Sequence, residues 1–327
     1  VNSINLLNKI GFKNISASDI YYPTKVNFFQ ANNTKKICEI DLKQFNNVND
    51  RYTTLKRSTL IKFLLDNIPK EKIHFKANIE NIECKEKIDI SWENNKERFD
   101  YIVIADGIFS NLKSQISKNH LNPIFNGNIA LRANLKQHEK DNISIYMGSD
   151  FHYVTYPINQ KLEYNFVAII KKKLTNDEID DKNMLNSEKF INSLKDLLTK
   201  KSKLNLDNLI NIRCFPVFVS TQFPSLIYEN TFLSGDAFFT FPPSFAQGAS
   251  QSIQTANDIL NCILNGSNEA YDKILKQISS INKKSNFNHF SFHLSNPISI
   301  YLRNLTLKYL SKNKIFLENY LGKIYKV

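Results

Sequence analysis

The sequence predicts an α/β fold, α+β overall, in which pieces of a parallel sheet flank a mostly antiparallel sheet and helices close the chain. A continuous apolar run at residues 101–105 ends in Asp-Gly, and a second predicted buried strand in TFLSGDAFF runs into Gly-Asp. Strands buried on both faces of a parallel sheet have this pattern. Between the two runs, from about residue 126 to 219, alternating apolar and polar residues indicate consecutive antiparallel strands. This order indicates a nucleotide-binding domain interrupted by a second sheet domain.

The front of the chain switches between strand and helix periodicity. Residues 4–10 form a short predicted helix that ends at Gly11, and residues 20–50 alternate as strands do. A second helix is predicted at 57–67, and Pro69 follows it as a stop signal. The apolar stripe of this helix consists of Leu60, Ile61, Leu64 and Leu65.

The back of the chain is predicted to be largely helical. One helix is predicted to start near Gln247 and to end at Gly266, because glycine is the usual residue just after a helix. Its apolar positions at helical spacing are Ala249, Ile253, Ala256, Leu260 and Leu264. A second stripe predicts a helix in the tail, with Arg303, Lys308 and Lys312 opposed to it. That stripe consists of Ile298, Tyr301, Leu302, Leu305 and Tyr309.

Composition excludes several classes of protein. The formal charge is +12, but the lysines are spread along the chain without a recognition motif, so no nucleic-acid partner is predicted. The excess is compatible with attraction to an anionic membrane surface or substrate. No apolar run reaches 18 residues, which predicts no transmembrane helix. Four widely spaced cysteines without a CxxC predict no metal site, no disulfide framework and a reducing, cytoplasmic setting.

Two carboxylates stand at predicted strand ends, in Asp106-Gly107 and Gly235-Asp236. Ligands of open α/β sheets bind at those ends. An aspartate accepts hydrogen bonds from sugar hydroxyls, and a glycine lets the backbone approach a phosphate or ring closely. The run PPSFAQGASQ then places a proline-rich loop before a helix N-terminus, which suits an electron-rich or anionic group. Either pair alone is typical of a simple turn, whereas both together with this loop favour a nucleotide site.

These segments resemble the flavin-dependent aromatic hydroxylases, a family that includes para-hydroxybenzoate, salicylate, 3-hydroxybenzoate and ubiquinone-biosynthesis hydroxylases. ADGIFSNLK resembles their Asp-Gly motif, GDAFFTFPPSFAQG their Gly-Asp motif, and Arg57 with Leu60 their Arg-x-x-Leu. The resemblance implies a Rossmann-like domain that binds FAD. A solvated arginine at a helix start is the alternative for Arg57. The implied FAD contacts are Arg57, Asp106, Gly107, Gly235, Asp236, Pro243, Gln247 and Gly248.

The resemblance covers essentially the whole chain and implies a division into domains. The FAD-binding domain would comprise residues 1–18, 51–125 and 226–266. The substrate-binding sheet would comprise 19–50 and 126–225, and the C-terminal helices 267–327. Three departures leave the subfamily open: Lys113 stands where arginine is usual, Phe239 where salicylate-type members have histidine, and Ala246 where glycine is commoner.

The family begins with a strand, a Gly-x-Gly-x-x-Gly turn and a helix, which together hold the pyrophosphate. The chain has 8 glycines, and no two of them lie at G-x-G spacing. VNSINLLNKIGF resembles instead the helix that follows this unit. We therefore expect about 40–50 residues to be missing, a βαβ unit of ~30 residues plus its lead-in. These 327 residues alone are expected to bind FAD poorly or not at all and to be inactive.

The substrate side is predicted on the central sheet. GSDFHYVTYPI resembles a His-x-x-x-Tyr-Pro stretch of salicylate-type members, matched by His152, Tyr156 and Pro157. Positions 152 and 156 share one face of a strand. A histidine removes a phenolic proton near neutrality, and a tyrosine holds a phenolate or carboxylate. Arg132 is a further candidate substrate contact. The alternative for His152 and Tyr156 is that they are merely polar-tipped residues in a half-buried sheet, and the alternative for Arg132 is a surface arginine on a strand. Surface or packing roles are assigned to His74, His120, His138, His289 and His293.

The activity implied by the resemblance is that of a monooxygenase. NADH or NADPH would reduce FAD, O2 would add to give a flavin hydroperoxide, and an activated, phenolic acid-like ring would take the oxygen. Two alternatives stay open at this point. One is a ubiquinone-biosynthesis-type hydroxylase of a prenylated ring, with the basic amphipathic tail on the membrane surface. The other is a truncated, non-catalytic flavoprotein.

Overall fold

The fold of the chain is given by a computed structural model, which describes residues 2–46, 50–119, 121–135, 142–161, 163–266 and 269–322. In chain order the strands are β1 (Ile20–Tyr21), β2 (Lys25–Gln30), β3 (Lys36–Asp41), β4 (Thr54–Leu55), β5 (Asn81–Cys84), β6 (Ile88–Trp92), β7 (Asn95–Phe99), β8 (Ile102–Ile104), β9 (Ile124–Leu135), β10 (Ile143–Gly148), β11 (Phe151–Pro157), β12 (Tyr164–Lys171), β13 (Leu209–Val219) and β14 (Thr231–Leu233). The helices are α1 (Asn2–Asn8), α2 (Arg57–Asp66), α3 (Lys113–Ile116), α4 (Asn176–Asp180), α5 (Lys182–Leu185), α6 (Glu188–Lys201), α7 (Gly248–Asn265), α8 (Glu269–Phe292), α9 (Pro297–Leu310) and α10 (Lys314–Leu317).

The elements are shared between two units that interleave along the chain. Unit 1 comprises Val1–Asp66, Gly127–Val217 and Phe290–Val327, and unit 2 comprises Asn67–Asn126 and Phe218–His289. No helix in the described ranges is both long enough and apolar enough to cross a lipid bilayer. The division into functional domains made from the sequence stays a prediction.

Unit 1 is built on a seven-stranded sheet in the order β13-β9-β12-β11-β10-β2-β3. The pair β10–β2 is parallel, whereas β10–β11, β11–β12, β12–β9 and β2–β3 are antiparallel. One face carries a row of stacked aromatic rings across four strands, and the row consists of Phe29, Tyr146, Tyr153 and Phe166. Because successive residues of a strand point to opposite faces, this row leaves His152, Val154 and Tyr156 on the other face.

That other face of the sheet is partly covered by the C-terminal segment of unit 1. Val154 and Tyr156 pack in a cluster with Leu42, Phe45 and Leu317. A second cluster is formed by Phe28, Cys38, Met147 and Phe292, with Leu307 of α9 packed against it. The tail helices are therefore held onto the sheet by apolar contacts from their inner sides.

Unit 2 contains the two strands that precede the Asp-Gly segments. β8 and β14 pair in parallel, with Ile102 opposite Thr231 and Ile104 opposite Leu233. An antiparallel sheet of order β5-β6-β7 belongs to the same unit. The core of unit 2 is lined by Ile82, Ile88, Ile104, Ile116, Phe232, Leu233, Phe238, Phe239, Ile259, Cys262, Ile274 and Ile278. The parallel pair predicted from the apolar runs is thus present, and Phe239 is a core residue.

The prediction that residues 101–105 form a strand buried on both faces was wrong. All three residues of β14 are buried, but Val103 in the middle of β8 is 45% exposed. Within the described residues β8 pairs with β14 alone, and its outer face is uncovered. A continuous apolar run therefore indicated the strand correctly but not its surroundings.

Helix α7 begins and ends where the sequence predicts, and Gly266 at its end adopts φ 60°. Its orientation is the reverse of the one expected from an apolar stripe, since Leu264 is 71% exposed while Gln251, Gln254 and Asp258 are buried. The buried amides are satisfied, because Gln277 of α8 donates to Gln251 Oε1 at 2.8 Å. The buried side of α7 therefore combines this hydrogen bond between the helices with apolar contacts of Ile259 and Cys262 in the core of unit 2. The stripe of α2 is not buried either.

Candidate functional site

The two Asp-Gly segments leave the parallel pair of unit 2 side by side. Ile104 lies opposite Leu233, and the amide of Ser234 donates to the carbonyl of Ile104 at 2.9 Å. The exposed carboxylates Asp106 and Asp236 follow two residues after the end of β8 and three residues after the end of β14. The structure therefore brings together two acceptors at the carboxyl edge of adjacent parallel strands, where open α/β sheets bind ligands.

The glycines of these segments occupy conformations that other residues rarely adopt. Gly107 has φ +97° and nothing within 4 Å of the place where a Cβ would be. It opens a turn in which the amide of Ser110 donates to its carbonyl. Gly235 has φ +60°, and a Cβ there would meet Ser252 Oγ at 3.1 Å. Gly107 thus leaves open space beside Asp106, and Gly235 allows the Gly-Asp turn to approach α7 closely.

Lys113 supports the Asp-Gly turn from inside unit 2. Its side chain is buried and its ammonium donates to the carbonyl of Ile108 at 2.5 Å. Burial lowers the pKa of Lys113, and the nearby Asp106 carboxylate opposes that shift. A lysine makes this single contact where an arginine would offer a planar fork of donors, so the replacement alters the turn's support.

The proline-rich loop leads into the N-terminus of α7. Residues Pro243–Phe245 form a 3-10 turn, Ala246 follows with φ 51° and ψ 35°, and Gln247 stands at the N-cap position without a capping hydrogen bond from its side chain. The first helical residue, Gly248, has open space around its Cβ position. An 18-residue helix presents unpaired N–H groups and partial positive charge at this end, which suits an electron-rich or anionic group.

Ala246 holds a left-handed backbone conformation that costs an L-residue roughly 1 kcal/mol. We expect Ala246→Gly to raise the free energy of unfolding by up to about 1 kcal/mol, because glycine adopts this conformation without a Cβ clash. The matched control is Ala256→Gly, in the exposed interior of α7, which should lower it by about 1 kcal/mol. Urea denaturation of both variants measures the two changes in the free energy of unfolding. Changes of the same sign would contradict the claim that the backbone of Ala246 is strained.

His289 of α8 anchors the same loop. Its Nδ1 lies 3.0 Å from Oγ of Ser244, and burial lowers the pKa of the imidazole. The folded state thus favours neutral His289. Below the ordinary histidine pKa of about 6.5, the unfolded state therefore binds more protons than the folded state. The resulting stabilisation is present above that value and is lost as pH falls toward the lowered pKa.

We expect the free energy of unfolding to fall between about pH 7.5 and about pH 5.5, and His289→Gln to reduce that slope. Denaturant unfolding at the two pH values measures it. The same change at His74, an exposed histidine of unit 2, provides the matched control. An unaltered slope in His289→Gln would show that other groups cause the pH dependence.

On the sheet of unit 1, Tyr156 is held by its cross-strand neighbour. Asn165 lies directly opposite Tyr156, and its Nδ2 donates to the phenol oxygen at 2.8 Å. The phenol proton consequently stays available for donation to another acceptor. Burial raises the pKa of Tyr156, which keeps the group protonated, while Arg132 and the bond from Asn165 oppose the shift.

Arg132 lies on the same sheet face, because it pairs with Val167, which pairs with Val154. Its side chain is exposed, and its guanidinium carbon is 5.9 Å from the ring centre of Phe215. The structure therefore brings together a cationic donor, Arg132, and a phenol, Tyr156, whose orientation is fixed by the hydrogen bond from Asn165. We name these three residues the polar group of unit 1.

His152 shares the face of Tyr156 but is engaged elsewhere. Its side chain is 2% exposed, and its Nδ1 lies 2.8 Å from Nε2 of His293. The ring also packs edge-on against Phe292. These contacts tie β11 to the segment between α8 and α9. The role of His152 as a base stays a prediction, beside the role of a buried anchor.

The remaining predicted residue, Arg57, is exposed at the first position of α2 and belongs to unit 1. Its role as an FAD contact stays a prediction. Sequence reasoning missed Asn165 and the partners of His289 and His293. The register of the β11–β12 hairpin would have indicated Asn165, whereas the two histidine partners depend on long-range packing. His120 and His138 lie outside the described residues.

No family model matches the sequence, and no curated protein is significantly similar to it. Solved structures are similar over nearly the whole chain. HpxO of Klebsiella pneumoniae, complexed with FAD and uric acid, has TM-score 0.80 at 12% identity over 99% of this chain and 85% of its own. A salicylate hydroxylase substrate complex has TM-score 0.75 at 16% sequence identity, and the match covers 100% of this chain and 88% of its own. The p-nitrophenol 4-monooxygenase PnpA from Pseudomonas putida DLL-E4 has TM-score 0.75 at 14% sequence identity, and the match covers 98% of this chain and 85% of its own.

These likenesses establish the fold of the chain, which is that of the FAD-dependent aromatic hydroxylases. The fold class predicted from the sequence is confirmed, including the large mixed sheet and the C-terminal helices. The resemblance read from the Asp-Gly and Gly-Asp segments is thereby confirmed at the level of structure.

Proposed function

We propose that the chain serves an FAD-dependent monooxygenase that hydroxylates a small, phenolic acid-like aromatic substrate with NADH or NADPH and O2. The observation that carries this proposal is the adjacency of Asp106-Gly107 and Gly235-Asp236 at the ends of two parallel strands. The fold supports it, since similar structures hold FAD and aromatic compounds such as uric acid. The four cysteines are free thiols, which supports a reducing, cytoplasmic setting.

The residues of unit 2 fit a flavin nucleotide. Asp236 would accept hydrogen bonds from ribityl hydroxyls, and Asp106 would accept them from the same cofactor. Pro243, Gln247 and Gly248 would line the ring and present the N-terminus of α7 to its electron-rich edge. Arg57, in unit 1, is proposed as a further FAD contact. When bound, FAD supplies the oxygen-activating and hydride-accepting chemistry.

The polar group of unit 1 fits an anionic aromatic ring. Arg132 would bind a carboxylate, and Tyr156 would donate its remaining proton to a ring oxygen, because Asn165 occupies its acceptor side. His152 would take up a phenolic proton if it acts as a base. A His152→Asn variant tests that role: a base requires that the acid limb of the kcat/KM profile disappears while the melting temperature is unchanged.

We further propose that these 327 residues alone bind FAD weakly, because they contain no Gly-x-Gly-x-x-Gly turn to hold the pyrophosphate. The expected result is that the purified chain is colourless and that FAD fluorescence is quenched only by a large excess of protein. Adding an N-terminal βαβ segment with this turn should restore tight binding. Purification with stoichiometric yellow flavin would contradict the proposal.

A second candidate function is the hydroxylation of a prenylated ring at a membrane surface, favoured by the exposed apolar stripe of α9. NAD(P)H consumption by the chain extended with the βαβ segment, with excess FAD and over a panel of phenolic acids and prenylated phenols, separates the two. Stimulation by phenolic acids with formation of hydroxylated product supports the first. Flavin binding without turnover on any substrate would instead support a non-catalytic flavoprotein.

A further inference from the structure

Helix α9 turns its apolar side outward. Five large apolar residues form one continuous stripe, and each is between 46% and 71% exposed. The stripe consists of Ile298, Tyr301, Leu302, Leu305 and Tyr309. At 3.6 residues per turn these positions fall within an arc of about 100° and extend over roughly 17 Å of helix. Single exposed apolar residues are ordinary, but a continuous stripe of this length marks an interaction surface.

The inner side of α9 fixes this orientation. Arg303 is buried and its Nη1 donates to the carbonyl of Ser291 at 3.0 Å. Leu307 packs against the cluster that contains Phe28 and Phe292. Asn296 caps the helix by accepting hydrogen bonds from the amides of Ile298 and Ser299. Because the inner side is held by a hydrogen bond, apolar contacts and a cap, the stripe is a stable outer surface of unit 1.

The charge around the stripe has one sign. Helix α9 contains no acidic residue, and Lys308, Lys312 and Lys314 are exposed on it or just after it. Residues 290–327 carry six lysine or arginine residues against one acidic residue, Glu318. The apolar surface is therefore bordered by cations that attract an anionic partner.

We propose that α9 lies on an anionic lipid bilayer, with its stripe in the interface and its lysines on the headgroups. Apolar residues on one side, flanking lysines and two tyrosines with polar tips are the composition of helices that lie in the plane of a membrane. A second copy of the chain fits less well, because a symmetric contact would bring the same lysines together with no carboxylate on α9 to pair with them. This proposal does not depend on the hydroxylation of a phenolic acid, and it deepens the second candidate function by naming the lipid surface on which α9 would lie.

Co-sedimentation of the full chain with phosphatidylcholine vesicles, with and without phosphatidylglycerol, tests the proposal. The chain should bind the anionic vesicles and bind the neutral ones at least several-fold more weakly. Leu305→Glu should weaken partitioning into the vesicles by about tenfold or more, since a leucine that would insert into the bilayer interface becomes a carboxylate. Lys308→Gln should weaken binding to anionic vesicles by about fivefold and leave binding to neutral vesicles unchanged.

The matched control is Thr306→Glu, which adds the same charge to an exposed residue of α9 outside the stripe. It should bind much more tightly than Leu305→Glu, and circular dichroism melting checks that both variants are folded. Equal loss of vesicle binding in the two variants would overturn the proposal, because the apolar stripe would then contribute no more to binding than the rest of the helix surface. A chain that ignores vesicles but forms a dimer that Leu305→Glu dissociates would overturn it in favour of a second copy.

Discussion

Replacing Asp236 with alanine is expected to weaken FAD binding by about tenfold to a hundredfold, because a hydrogen bond to a charged acceptor contributes about 1.5–3 kcal/mol. The side chain is exposed and lies in the turn directly after β14, so its removal leaves the core of unit 2 unchanged. Titration with FAD of the chain extended by the βαβ segment that carries the glycine turn, followed by flavin fluorescence, measures the ratio of the dissociation constants.

Asp272 offers the matched control for this substitution. It is an exposed aspartate on α8 in the same unit, and Asp272→Ala removes the same charge. Its dissociation constant should stay close to that of the unaltered chain. If both variants lose affinity equally, net charge rather than a specific contact explains the effect, and the assignment of Asp236 fails.

Tyr156→Phe is expected to lower kcat/KM by about tenfold to a hundredfold, since it removes the one proton that Asn165 leaves available for a substrate oxygen. Loss of the phenol also leaves the Asn165 amide without this acceptor, which should cost about 1 kcal/mol of stability. Initial rates of NAD(P)H-dependent product formation by the chain extended with the βαβ segment, with excess FAD, measure the kinetic effect.

Tyr153→Phe is the matched control on the same strand. Tyr153 points to the opposite face of the sheet, where its ring stacks on Tyr146 at 4.5 Å. This variant should keep its kcat/KM. Asn165→Leu should reproduce part of the loss by freeing the acceptor side of Tyr156. If Tyr156→Phe keeps full activity, the polar group of unit 1 does not contact the substrate.

The parts of the fold that depend on local chemistry could be predicted from the sequence. The strand ends at Asp106 and Asp236, the start of α7 after the proline-rich loop and its end at Gly266 all follow from glycine, proline and apolar runs. These signals act within a few residues, so neighbouring sequence is enough to identify them.

The orientation of helices could not be predicted in the same way. The apolar stripes of α7 and α9 indicated both helices, yet each stripe faces outward. On the inner side of α7, a hydrogen bond from Gln277 to Gln251 stands beside the buried Ile259 and Cys262, and on the inner side of α9 the buried Arg303 stands beside Leu307. Periodicity identifies a helix, but long-range hydrogen bonds decide which side is covered.

The candidate site shows the same limit. Tyr156 and Arg132 share a sheet face, which strand alternation predicts. The contact of His152 with His293 joins residues 141 positions apart, and nothing near either histidine indicates it. The two histidines also show why burial must be known before a proton-transfer role is assigned, because a base must reach its substrate.

The most direct measurement of the proposed function is product analysis under isotopically labelled dioxygen. The chain is supplied with excess FAD, with NADH or NADPH and with phenolic acids, alone and extended by a βαβ segment that carries the glycine turn. The account predicts a hydroxylated aromatic product with one labelled oxygen atom, formed in step with NAD(P)H oxidation. Flavin reduction that yields only peroxide or no labelled product with every phenolic and prenylated substrate would contradict it.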